Sequence, residues 1–144
     1  MKTSKSVHIA IDLGASSGRV ICGVYQQNNL KIYEVHRFKN IPINIDGLIS
    51  WDIKYIYKNI LIGINTASKI YADKISTIGV DSWAVDFVLL DKNDECLFLP
   101  RHYRNQRNIS AMESVIELIG RDYIYNQTGI QFMPINTLYQ LYAE

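Results

Sequence analysis

Three β-patterned runs follow one another between residues 7 and 38 with only turn-length gaps, and this limits the fold more than any other feature of the chain. In the first, Val7, Ile9, Ile11 and Leu13 alternate with His8, Ala10 and Asp12, the period of a strand with one buried face. "RVICGVYQ" is a second β-branched run, and "QNN" supplies turn residues before a third, "LKIYEVHRF". Gaps this short join antiparallel neighbours, so the chain is predicted to open with a three-stranded meander.

The pattern then changes to a helical one. Within "ISWDIKYIYKNILIGINTASKIY", Ile53, Ile56, Ile60, Ile64 and Ala67 recur on one face, with Ser50 or Asp52 placed to cap the start. "ISTIGVD" and "AVDFVLLD" read as strands around Ser82 and Trp83, and "DKND" reads as a hairpin turn into "CLFL". "SAMESVIELIG" reads as a helix with a Ser110–Glu113 capping box and Gly120 at its end. Leu138, Leu141 and Tyr142 form the stripe of a last helix that calls for a partner surface. No linker or internal repeat interrupts the chain, so residues 1–144 are expected to form one α/β domain, a meander followed by alternating helices and strands.

Charge and cysteine content narrow the function. A net charge of +1 with scattered Lys and Arg argues against a nucleic-acid partner, which asks for a basic stripe. The apolar run near the start is short and contains His8 and Asp12, so neither a signal peptide nor a membrane span is expected. Cys22 and Cys96 lack metal-ligand spacing and read as reduced core or near-core thiols of a cytoplasmic protein. His8, His36 and His102 likewise share no ligand spacing.

The gap between the first two strands, "GASSGR", has neither Walker spacing nor a Gly-x-Gly-x-x-Gly pattern. Its alternatives are a tight hairpin with a solvated Asp12, or an anion cradle. In the cradle, backbone N–H groups surround a phosphate, Ser16 and Ser17 add hydroxyls, and Arg19 adds charge. Asp12 would repel that phosphate unless a cation such as Mg²⁺ lay between them.

"DLGASSGRV", "HRFKN", "WD", "IGVDSWAVDFVLLD", "YRNQR" and "TGIQFMPINTLYQL", in this order through essentially the whole chain, resemble the FGGY carbohydrate kinases, in particular the branch acting on L-rhamnulose. The resemblance implies a ribonuclease-H-like domain of the actin and hexokinase superfamily, and an enzyme that moves the terminal phosphoryl of ATP, with Mg²⁺, to the 1-hydroxyl of L-rhamnulose. It implies that Ala15, Ser16, Ser17, Gly18 and Arg19 hold ATP phosphates and that Asp12 lies near the metal. The "DSWAVDF" segment, with Trp83, Ala84 and Asp86, would face the sugar, with Arg104, Gln131 and Asn136 as further candidates. Asp86 alternatively reads as solvated, Arg104 as half of an ion pair, and Asn136 as a helix cap.

The chain departs from the family pattern at two places. Ala84 stands where the family has Gly after the Trp, and Asn105 where it has Asp, which removes a charged partner for Arg104 or Arg107. The family's catalytic base, an Asp in a His-Asp-Thr segment, is expected beyond Glu144, in a C-terminal domain missing here. The fragment is therefore expected to be inactive alone, and to expose a cleft wall through which it self-associates. Ala84 leaves room for another ketose, L-fuculose or a pentulose, and a non-catalytic nucleotide- or sugar-binding domain is the alternative of a different class.

Overall fold

The computed structural model describes residues 5–144, and the lysine-bearing first residues, 1–4, lie outside them. The alternating runs form β1 (Ser6–Leu13), β2 (Ser17–Gln26) and β3 (Asn29–Lys39), as expected. They pair antiparallel, Ile9 opposite Cys22 and Cys22 opposite Tyr33. Gln27 and Asn28, both at positive φ, make the tight turn between β2 and β3. A short strand pair, β4 (Ile43–Ile45) and β5 (Leu48–Ser50), comes before α1 (Ile53–Tyr71), and β6 (Ile75–Ser82) follows it. Asp52 caps α1, accepting a hydrogen bond from the Tyr55 amide at 2.9 Å.

β6 returns parallel to β1, giving the sheet order β3-β2-β1-β6. Val7, Ile9 and Ile11 of β1 and Val20, Cys22 and Val24 of β2 form the core beneath Ala67, Ile60 and Ile64 of α1. At the β6 edge, Ile78 and Val80 stay 53% and 65% exposed although they lie in register with Ile9 and Ile11. This sheet and α1 make up one compact unit, the chain to Ile41 plus Asp52–Trp83.

Gly63 sets how closely α1 approaches the sheet. A Cβ there would stand 2.3 Å from Val20 Cγ2 and 2.6 Å from Val20 Cβ. Alanine gains about 1 kcal/mol in helix propensity, but two contacts on a β-branched strand residue force the helix off the sheet. Gly63→Ala is therefore expected to destabilise the protein by about 2 kcal/mol, read as a lowered urea midpoint at unchanged m-value.

The second unit, Pro42–Trp51 with Ala84–Glu144, has its own core. It contains α2 (Arg107–Ile119), α3 (Arg121–Thr128) and α4 (Thr137–Tyr142), and Ala111, Val115, Ile124 and Tyr139 pack together. Several expectations change here. "AVDFVLLD" is not a strand; only an isolated bridge joins Leu90 to Cys96, around a turn in which the Asp91 carboxylate accepts from the Asn93 and Glu95 amides. α2 starts at Arg107, three residues before the supposed cap, and the Ser110 hydroxyl donates to the Arg107 carbonyl instead. Gly120 does end α2. On α4 the buried residues are Tyr139 and Gln140, while Leu138, Leu141 and Tyr142 are exposed. Cys22 is buried, which raises its thiol pKa, but Cys96 is exposed and belongs to no core. Among the described residues no helix is long and apolar enough to cross a membrane.

Candidate functional site

In the first unit, sheet register assembles a charged row. Asp12 lies opposite Arg19 on β2 and Asp81 on β6, and Arg19 lies opposite Arg37 on β3. Cross-strand partners share a face, so Arg37, Arg19, Asp12 and Asp81 line up on the side away from α1. The Arg19 guanidinium donates to Asp12, pairing the two residues that the sequence assigned to phosphate and metal. Arg37 is engaged by Glu34 at 2.9 and 2.5 Å, and this hydrogen-bonded guanidinium holds the Glu34 carboxyl below its ordinary pKa. Asp81 was not anticipated, because only the register brings it beside Asp12.

The β1–β2 turn is closed by the Gly14 amide, which donates to the Ser17 carbonyl at 2.9 Å. Asn40, 6% exposed just after β3, grips the turn twice. Its own N–H donates to the Ser16 carbonyl at 3.0 Å, and its side-chain amide to the Gly14 carbonyl at 3.1 Å. Two of the turn's carbonyls are thereby used, while the Ala15 and Ser16 N–H groups donate to no acceptor among the described residues. Unspent amides beside an arginine are the elements from which anion-binding concavities are built. Gly18 also has a packing reason to be glycine: the Phe38 ring lies over it, 2.2 Å from where a Cβ would be. The Trp83 amide donates to the Leu13 carbonyl at 3.1 Å, so the structure brings Trp83 to the base of this turn.

The remaining candidates lie in the second unit. Asp86 is half-buried and accepts from Trp51 Nε1 at 2.5 Å, so it is not simply solvated. Trp51 stacks on His102 and the Tyr103 ring packs against His102 at a tilt, each pair 4.4 Å apart, and the exposed Arg104 guanidinium lies 5.4 Å over the Tyr103 ring. Arg107 pairs with Glu144 and donates to the Ala143 carbonyl. Asn105 uses both ends of its side-chain amide. It is 5% exposed, accepts from the Ile49 amide at 2.9 Å, and donates to the Ile49 and His102 carbonyls at 2.7 and 2.9 Å. Its amide is a structural clamp that a carboxylate cannot imitate. Asn136 sits at the N-cap position of α4, but its side chain does not cap; it donates to the carbonyl of the exposed Gln131 at 2.8 Å.

Burial depresses the His102 pKa, the nearby Asp86 carboxylate opposes that shift and Arg104 adds to it. A depressed pKa means that the unfolded chain takes up its proton first. The His102 contribution is therefore present above the ordinary value of 6.5 and is lost as pH falls below it. Melting temperature is expected to drop on acidification through this window, and less steeply in His102→Gln.

Residues 7–142 match the N-terminal domain of the FGGY family of carbohydrate kinases. Over 136 residues the chain is 48% identical to a rhamnulokinase of Oceanobacillus iheyensis, covering 94% of this chain and 29% of that protein. A rhamnulokinase of Pectobacterium atrosepticum is 45% identical over 139 residues, with 94% and 27% covered. The chain thus spans less than a third of the length of these curated relatives. Two solved Lactobacillus acidophilus structures share the fold. A gluconate kinase has TM-score 0.77 at 21% identity, and a ligand-bound xylulose kinase 0.78 at 20%; each covers 96% of this chain and 28% of its own.

Proposed function

The chain belongs to the FGGY family of carbohydrate kinases, and from that premise we propose that it is the N-terminal portion of an ATP-dependent L-rhamnulose kinase. In the proposed reaction the sugar 1-hydroxyl oxygen bonds to the γ-phosphorus as the bond to ADP breaks, and the hydroxyl proton passes to a carboxylate base. This base is supplied by the rest of the enzyme, since no His-Asp-Thr segment occurs in the chain.

One observation carries the nucleotide half of this reading: the 14–17 turn keeps the Ala15 and Ser16 amides unspent next to the Asp12–Arg19 pair. Ser16 and Ser17 add hydroxyl donors there. Asp12 and Asp81, in register on adjacent strands, fit the one or two carboxylates by which Mg²⁺ is held together with substrate phosphates. When bound, the metal neutralises phosphate charge.

Trp83, Ala84 and Asp86 are assigned to the sugar, with Gln131 and Asn136 as further polar contacts and Arg104 at the margin. The names of the two bacterial relatives support rhamnulose as that sugar. Ala84, where the family has glycine, favours a second reading in which another ketose is the substrate. Steady-state kinetics of the full-length enzyme on L-rhamnulose, L-fuculose and L-xylulose tests the choice. The highest kcat/KM on L-rhamnulose is expected, and preference for either of the others replaces it.

A further inference from the structure

Val85 is the one β-branched residue with left-handed φ, +73°, among the described residues. A branched Cβ disfavours that region strongly, and such a conformation persists only where its surroundings over-determine it. What holds it comes from the end of the chain. The Thr137 hydroxyl donates to the Val85 carbonyl at 2.6 Å, and Gln140 Nε2 donates to the same oxygen at 3.2 Å. Gln140 is 2% exposed and is itself anchored by a 2.8 Å bond to the Ile135 carbonyl. This carbonyl belongs to the peptide linking Val85 to Asp86, and Asp86 is tied beyond it to Trp51. The peptide entering Asp86 is thus fixed on both sides, in a segment whose composition otherwise favours an extended strand.

We propose that Thr137 and Gln140 are positioning residues for sugar recognition, holding the Val85 carbonyl so that Ala84 and Asp86 present a fixed face to the ketose. The proposal rests on the sugar-side reading of Ala84 and Asp86 given above. Neither α4 residue touches the reacting atoms; both act through the bend. A purely structural role would change stability alone, whereas positioning separates the sugar KM from the ATP KM.

Kinetics of the full-length kinase, varying L-rhamnulose and ATP separately, tests this. Thr137→Val keeps the side-chain shape and removes the donor; it is expected to raise the sugar KM about tenfold, with the ATP KM unchanged. Thr137→Ser restores the hydroxyl and the KM. Val85→Gly lets the bend relax and is expected to raise the sugar KM similarly, with melting temperature held within about 3 °C because relieved strain offsets the lost side chain. Asp86→Asn separates the two failures. If it raises the sugar KM while Thr137→Val and Val85→Gly do not, the positioning role is overturned. If Asp86→Asn leaves the sugar KM unmoved, the sugar-side reading is overturned, and the positioning role with it.

Discussion

Asp12→Asn in the full-length kinase is expected to lower kcat by about 100-fold or more while leaving the sugar KM within about threefold. Asparagine preserves the size of the side chain and an oxygen for the Arg19 guanidinium, so the substitution removes charge and little else. The Asp12–Arg19 pair is about one-third exposed on both sides, and pairs this open contribute under about 1 kcal/mol to folding. A large kinetic effect therefore has no folding explanation, which an unchanged melting temperature verifies. The phosphoryl group carries its most dispersed charge in the transition state, so under the proposed metal-side role the loss of the Asp12 carboxylate acts on turnover rather than on sugar affinity. A kcat equal to that of the wild type removes Asp12 from the mechanism and leaves it as a partner for Arg19.

The second large effect concerns Asn105→Asp, expected to destabilise the protein by about 3 kcal/mol or more. The substitution restores the carboxylate of the family pattern, yet here it meets two carbonyls, those of Ile49 and His102, where the amide donated to both. Ionised, the acid is repelled by them; protonated, it serves at most one. With 5% exposure no water replaces the lost partners cheaply. The variant's deficit in urea unfolding is expected to narrow at low pH, because protonation removes the buried charge. A midpoint equal to that of the wild type overturns the clamp.

The first unit was far more legible in the sequence than the second. Val7 to Leu13 and "RVICGVYQ" alternate because one face is buried, and period-2 burial is a local property that survives in the letters. Asp52 likewise announced α1 by its own side chain. "AVDFVLLD" misled because its β-branched and aromatic content fits a strand, while the bend at Val85 depends on donors at Thr137 and Gln140, more than fifty residues away. Ser110 and Glu113 had the spacing of a capping box, but the turn through Asn105 starts the helix earlier, the Asn108 amide donating to the Asn105 carbonyl at 3.1 Å. The β4–β5 hairpin does leave a signal in the sequence, Asp46-Gly47 at positive φ between two isoleucine-bearing runs, but each run is only three residues long, too short to show a strand period.

Among the candidate site residues, Asp12 and the small-residue turn were visible because their chemistry is concentrated in adjacent positions. Asp81 and Asn40 were not, since each reaches the turn region only through strand register or a chain reversal. One role read from residue type changed, since Asn136 leaves the α4 cap unfilled, and Gly18 gained a packing role beneath the Phe38 ring that its letter did not show.

The grip of Asn40 on the 14–17 turn has a thermodynamic consequence. A loop whose carbonyl side is already moored by a buried side chain acts as a rigid mould, and under the proposed phosphate role little chain freedom would be surrendered when the anion seats in it. Cutting the mooring would make the same association carry an ordering penalty, visible in calorimetry as a less favourable entropy before any contact to the anion is lost.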